Sequence, residues 1–334
     1  MFSSSPQGDT KRSASLWQPT SVGSFSLVVL GAALWGTDPL FRQRLALQLP
    51  ASVIVLVEQL LPAVLVAPFI VSGLRKARQS FSPGDWVSIV VLGCGASALA
   101  TLLFTQAFTY GVPTTPVLLQ QIQPLFAVVG ARLMLREKLQ RRFWAYLLGG
   151  LAGAYLLAFP QPNDVSLRGW MPALLAVGAA GLWGAGTVLG RRLGAKLPFA
   201  ELTGLRLFFG LIAASIVVIV EGNGHYLFHL GGESSSALVA LALVPGLFAL
   251  LFYYRGLRGT PASAATIGEL AFPLTALIVD YLAFHSVLTI SQWLGVVVLA
   301  GTMITMALAR ANGTPTGVEV PELRNASTPS VASG

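Results

Sequence analysis

The 334-residue chain is 54% hydrophobic and only 10% charged, and its mean hydropathy of +0.72 exceeds what a water-soluble domain can carry on its surface. That excludes a soluble enzyme or binding module and leaves a protein whose main partner is the lipid bilayer. The formal net charge of +8 does not point to nucleic acid, because the basic residues are scattered through short connections rather than gathered in a patch.

Residues 1–23 are Ser-rich and polar, carry Lys11 and Arg12, and lack the short apolar stretch with a small-residue cleavage site that marks a removable signal. They read as a cytoplasmic tail before a retained helix. Ten apolar runs follow, at 24–41, 51–73, 86–108, 114–135, 143–159, 169–189, 199–220, 237–254, 262–284 and 290–309, each near the ~20 residues a membrane helix needs. The runs are continuous rather than alternating, which favours helices over a barrel. Cys94, the single cysteine, lies in the third run between Gly93 and Gly95, so no intramolecular disulfide forms. Residues 311–334 are rich in Pro, Ser and Thr and are expected to be a disordered cytoplasmic tail.

Placing the N-terminus in the cytoplasm puts sixteen Lys and Arg on the inner side, in the tails and beside residues 75–78, 136–142, 191–196 and 255–258, against Arg42, Arg44 and Arg168 outside. This asymmetry predicts a multi-pass plasma-membrane protein with both termini inside. The halves also match each other. LWGTDPLFRQRLALQLP from Leu34 aligns with LWGAGTVLGRRLGAKLP from Leu182 at a shift of 148, and Gly111 and Pro113 meet Gly259 and Pro261 at the same shift. Pro124 meets Pro273, and Trp144 meets Trp293, at 149. Five helices per half is an odd number, so the second half enters the membrane from the opposite side. The expected fold is an all-α integral membrane protein of ten transmembrane helices in two inverted five-helix repeats, at 24–160 and 169–310, an architecture suited to alternating access.

The LWG of each half, QPLFAVVGARLMLREKL ending at Leu139 and YYRGLRGTPASAATIGELAFP from Tyr253 resemble the EamA-type transporters of the drug/metabolite transporter superfamily, across residues 24–310. The resemblance implies a central substrate cavity lined by the first four helices of each half, with the fifth set aside. Two positions depart from the family pattern. The Arg common in the second helix of each half is present as Arg206 but is Glu58 in the first half, and the Glu after the fourth helix is Glu137 in the first half but Ser286 in the second. The superfamily spans many metabolites, so the resemblance does not choose a substrate.

Charged groups at bilayer depth cost roughly 2.5–3.5 kcal/mol on insertion scales and need a partner, a cavity or a snorkel. Glu58 lies about eight residues, or roughly 12 Å, inside its helix with no basic partner evident at its depth, which makes it the candidate to carry a proton; the plainer reading is a snorkel toward Arg42 or Arg44. Arg206 and Glu269 share a depth with opposite charge and are expected to form an ion pair, for packing or for substrate. Glu269 maps to Gln120. Pro273 and Pro124 free the backbone carbonyls of Glu269 and Gln120 respectively, so two related helix kinks beside a watery cavity are expected.

Gln120 and Gln121 line the cavity or serve as hydrogen-bond glue, with Gln123 beside them, and Trp35 and Trp183 contact substrate or pack beside Gly36 and Gly184. Asp38 before Pro39 marks an end or kink of the first helix, while Arg132 and Asp280 snorkel. Gly149 and Gly153, spaced GxxxG, serve a homodimer or close packing within the chain. No nucleophile with a base, no metal-ligand set, no cofactor motif and no P-loop is present: HYLFH, with His225 and His229, reads as a solvated loop, His285 lies at a helix end, and GRRLGAKL lacks the Gly-Lys-Ser/Thr ending. The expected function is therefore not enzymatic. It is a secondary transporter, an exporter of small organic metabolites such as amino acids, coupled to protons through Glu58 or acting as an uncoupled facilitator; the reading from another class is a membrane scaffold or receptor.

Overall fold

The computed structural model describes residues 22–110, 119–158, 170–228, 231–284, 289–312 and 317–319. The N-terminal tail, most of the C-terminal tail, Gly111, Pro113, Arg168, His229, His285 and Ser286 lie outside the described residues, as does the side chain of Asp280. Among the described residues seven helices are long and apolar enough to cross a membrane, or eight if one bent pair counts as a single span.

The first apolar run is two helices, α1 (Val22–Trp35) and α2 (Asp38–Ala46). They break at Gly36 and Thr37, with Pro39 in the first turn of α2, where its missing N–H costs nothing. The kink expected at Asp38 is thus present, and the run extends beyond Phe41 to include Arg42. The second run is also broken. Helices α3 (Ala51–Leu65) and α4 (Ala67–Ser80) meet at 82°, because Pro68 has no N–H to continue α3 and its ring clashes with the preceding turn. Helix α5 (Pro83–Phe108) follows, and its turns widen to a π-helix over Val91–Leu99.

Beyond it come α6 (Gln123–Met134), α7 (Arg141–Ala158), α8 (Trp170–Gly194) and α9 (Phe199–Glu221). The chain continues through α10 (Gly232–Arg258), α11 (Ala262–Glu269), α12 (Ala271–Phe284) and α13 (Ile290–Ala311). Helices α6 and α7 are not among the seven. The first is described over only 12 residues, and the second opens on two arginines that dilute its hydropathy.

Packing between the halves is reciprocal. Helix α1 lies against α10, α11 and α12, while α8 lies against α5 and α6. Helix α9 packs on α3, α4 and α5, and α7 runs along α13 away from the centre. The two LWG glycines show the duplication at atomic scale. A Cβ on Gly36 would sit 2.6 Å from the Phe272 carbonyl oxygen and 3.0 Å from the Ala276 nitrogen; one on Gly184 would meet the Gln123 carbonyl oxygen at 3.0 Å and the Ala127 nitrogen at 2.9 Å. Shifted by 149, Phe272 and Ala276 are Gln123 and Ala127, so the two crossings repeat. Gly36→Ala and Gly184→Ala should each destabilise by about 1–3 kcal/mol through overpacking, read as a lower melting temperature in detergent.

The GxxxG face is used inside the chain. Gly153 backs onto Leu299, with a Cβ 2.8 Å from its backbone nitrogen, and Gly149 faces Thr302 at 3.0 Å, so the motif serves close packing against α13. Within the segment after residue 310, residues 317–319 are described, and they are paired. Strand β2 (Val318–Glu319) pairs antiparallel with β1 (Lys138–Leu139), and Gln140 N–H donates to the Gly317 carbonyl at 2.7 Å. Backbone pairing and the packing of Val318 on the Phe143 cluster hold a segment whose polar side chains carry no hydrophobic signal.

One end of the bundle is tied by charge. Asp85 bonds Lys196 at 2.5 Å and Arg192 at 3.4 Å, and Lys76 pairs with Glu201. Each contact joins a first-half helix to α8, α9 or the turn between them.

Candidate functional site

A cavity lined by side chains of both halves opens between them. Its wall holds three polar clusters on a scaffold of aromatic rings.

The first cluster centres on Arg42, whose side chain is 2% exposed. Its Nε donates to Asp38 Oδ1 at 2.6 Å and its Nη2 to Asp38 Oδ2 at 2.5 Å, a bidentate clamp across one turn of α2. Nη2 also reaches Glu58 Oε2 on α3 at 2.9 Å, and Nη1 reaches Thr105 Oγ1 at 2.9 Å. Glu58 is therefore not the unpaired carboxylate expected from its depth. The plainer expectation, that Glu58 reaches toward Arg42 or Arg44, is the one the structure shows, with Arg42 as the partner, and the i,i+4 spacing of Asp38 and Arg42 on one helix is a further pairing signal.

The second cluster holds Arg206 on α9. Nε donates to Ser97 Oγ at 2.6 Å, Nη1 to Tyr254 OH at 2.7 Å and Nη2 to the Ala96 carbonyl at 3.3 Å. Ala96 and Ser97 lie within the wide turns of α5, where loosened i→i−4 bonding turns a backbone carbonyl toward a side-chain donor.

The third cluster surrounds Glu269 at the end of α11. Gln123 Nε2 donates to Oε2 at 2.7 Å, while Thr187 Oγ1 and Tyr253 OH donate to Oε1 at 2.9 and 2.5 Å. The expected Arg206–Glu269 ion pair is not formed. Both face the cavity, but each is held by a different one of two adjacent tyrosines on α10. Equal depth fixes position along the membrane normal and not around the bundle, which is why the pairing failed.

Trp35 and Trp183 both line the cavity. Trp35 lies 4.8 Å from the Tyr253 ring and Trp183 lies 5.1 Å from Phe104. Gln120 is also in the wall, and Gln121, buried in the turn beside it, is not. Gln120 Oε1 and Gln59 Oε1 are buried with no hydrogen-bond partner among the described residues. The kinks expected at Pro124 and Pro273 fall at residues 121–122 and at Leu270, again 149 apart. Each lies a few residues before its proline and next to Gln120 or Glu269. Arg132 is exposed at the end of α6, as a snorkelling residue should be. Sequence reasoning did not place Gln59, Ser97, Tyr253, Tyr254 or Thr187 in the site; small polar residues on apolar helices give no such signal until the partner helices are known.

A helical membrane protein with a polar cavity between two reciprocally packed halves is a transporter in form. The EamA-like transporter family model matches residues 23–159 and 170–307, and the chain belongs to that family. Among curated relatives, "Riboflavin transporter ImpX" of Fusobacterium nucleatum is 32% identical over 272 residues, covering 79% of this chain and 90% of its own. "Riboflavin transporter" of Vibrio cholerae is 29% identical over 147 residues, 43% of this chain and 47% of its own. One solved crystal structure shares the fold with a TM-score of 0.67 and 21% identity, covering 87% of this chain and 99% of the other.

Proposed function

We propose that the protein carries a flavin of the riboflavin type across the plasma membrane by alternating access. In this reading the repeats at 24–160 and 169–310 form ten spans, both termini are cytoplasmic, and a single chain is the working unit. Support comes first from the cavity wall. Riboflavin is an uncharged, planar, tricyclic ring with an imide edge and a tail of hydroxyls. Such a cargo needs flat apolar surfaces and free hydrogen-bonding groups rather than one strong counter-charge. Trp35, Trp183, Phe104, Tyr253 and Phe272 supply the surfaces, and Gln59 and Gln120 hold unused acceptors for the imide N–H or the hydroxyls. The names of the two relatives point the same way. An amino acid, the cargo expected from the sequence, would present a carboxylate and an ammonium. Those charges fit less well against an Arg206 and a Glu269 that neighbouring side chains already hold.

Counterflow of labelled riboflavin in proteoliposomes tests this, with unlabelled flavin and amino acids as competitors. Flavin should compete and amino acids should not; the reverse order would defeat the reading. Trp35→Ala and Trp183→Ala should each raise KM about 3- to 10-fold, the ~0.5–1.5 kcal/mol of one aromatic contact, and weaken the quenching of bound-flavin fluorescence.

A further inference from the structure

Three carboxyl groups and two guanidinium groups line the cavity: Asp38, Glu58 and Glu269 against Arg42 and Arg206. With every group ionised the wall carries one net negative charge, and with one proton aboard it is neutral. Burying a net charge in the middle of a membrane is costly, so the hydrogen-bonding partners decide which carboxyl holds that proton.

Asp38 and Glu58 are held by Arg42, which only donates and cannot lose its charge. Glu137, a buried carboxylate between α6 and α7, accepts from the backbone N–H groups of Ala262 and Ser263 and from the Ser263 hydroxyl. In all three the ionised form is held by an arginine or by backbone N–H groups, which cannot accept a proton's hydrogen bond in return. Glu269 differs, because its Oε1 meets two hydroxyls, and a hydroxyl both donates and accepts.

Its surroundings fit both protonation states without moving a heavy atom. In the ionised state Tyr253 and Thr187 donate to Oε1 and Gln123 donates to Oε2. After proton uptake Oε1–H donates to the Tyr253 oxygen, and the Tyr253 hydroxyl turns to Thr187 Oγ1, 3.0 Å away. The Thr187 hydroxyl then turns to the Trp183 carbonyl at 3.4 Å, while Gln123 keeps its bond to Oε2. Every donor retains an acceptor.

We infer that Glu269 is the site at which this carrier takes up and releases a transported proton together with its uncharged cargo. The cargo half of that statement rests on the flavin reading; the proton half does not. The charged and titratable groups facing Glu269 are few among the described residues. Tyr253 and Tyr254 face it from α10 and Arg206 from α9, with Asp38, Arg42 and Glu58 across the cavity on α2 and α3. Helices α1, α6 and α8 present Trp35, Gln123, Trp183 and Thr187 there, none of which titrates. In each cycle one proton passes from water on the acidic side to a Glu269 carboxylate oxygen and returns to water on the other side, so one positive charge moves with each neutral cargo molecule.

The test uses the full chain in proteoliposomes. The quantity read is the ratio of initial riboflavin uptake with an inward acid gradient to uptake at symmetric pH. The wild type should give a several-fold ratio, Glu269→Gln a ratio of one whatever its absolute rate, and Glu58→Gln a ratio still above one. A second arm needs no cargo: infrared difference spectra of the detergent-purified protein, stepped in pH across neutrality, should show a carboxyl C=O band that Glu269→Gln removes. Thr187→Val, which takes away one accepting hydroxyl, should shift the pH at which that band changes and covers the case of a misfolded Gln variant. A gradient ratio preserved in Glu269→Gln overturns the assignment, as does a carboxyl band that this substitution leaves untouched. If riboflavin does not move at all, the flavin reading fails and the infrared arm alone decides on the proton.

Discussion

Replacing Arg42 with alanine should be among the most damaging single changes in the protein, costing about 3–5 kcal/mol, because it strands two buried carboxylates that now share one guanidinium. Asp38 and Glu58 come from different helices, α2 and α3, and Arg42 also holds Thr105 of α5. The substitution therefore breaks a junction of three elements at the cavity wall. A fall in detergent melting temperature on the order of 10 °C is expected, with loss of transport.

Two further variants separate charge from packing. Arg42→Lys keeps the charge but not the bidentate geometry, and should recover only part of the stability. Arg42→Met combined with Asp38→Asn and Glu58→Gln removes all three charges at similar volume. It should recover more than half, since a buried ion network is seldom better than a neutral replacement of the same shape. If Arg42→Ala melts like the wild type, the cluster does not brace the helices.

The duplication, the helical class and the two kinks were legible because each rests on a one-dimensional signal: a repeat of residues, an apolar run or a proline. Gly36 and Gly184 are the clearest case, for identical letters 148 apart make the same backbone crossing. The charge partners were not legible in the same way. Glu58 and Arg206 are repeat mates on packed helices α3 and α9, yet one binds Arg42 and the other Tyr254. A partner is chosen by the angle around the bundle, and hydropathy carries no record of that angle. Arg42 was in view as one of two arginines Glu58 could reach, but its simultaneous hold on Asp38 and Thr105 was not. The strand pairing of Val318 with Leu139 depends on backbone groups, which every sequence possesses and none advertises.

The cavity has two unlike halves. Duplication placed a polar side chain before each kink, and divergence made one Gln120 and the other Glu269. The amide is left with an unused acceptor, while the carboxyl is surrounded by an amide and two hydroxyls. An unused acceptor suits recognition of a donor on the cargo, and a carboxyl among hydroxyls suits a proton. One half can thus read the cargo while the other carries the charge.

Glu137→Ala is expected to destabilise the protein by about 3–5 kcal/mol, although Glu137 lies outside the cavity wall. It is 1% exposed and accepts the Ala262 N–H at 2.8 Å, the Ser263 N–H at 3.0 Å and the Ser263 hydroxyl. Helix α11 begins after Pro261, which has no side-chain oxygen to cap it, so the first N–H groups depend on a carboxylate from the other half of the chain. The helix dipole adds to the attraction. Arg136, in the left-handed region at φ 54°, turns the chain so that Glu137 points back into the protein.

Removing the side chain leaves two buried backbone donors without acceptors, at about 1–3 kcal/mol each, and Glu137→Gln should lose less because its one carbonyl oxygen still accepts. Glu269 sits at the far end of this same short helix, so loosening the start of α11 should also disturb the cavity. Hydrogen exchange distinguishes that route from general unfolding: protection should fall first at residues 262–266 while α7 and α13 keep theirs. Uniform loss of protection, or none, would mean that Glu137 does not anchor the helix that carries Glu269.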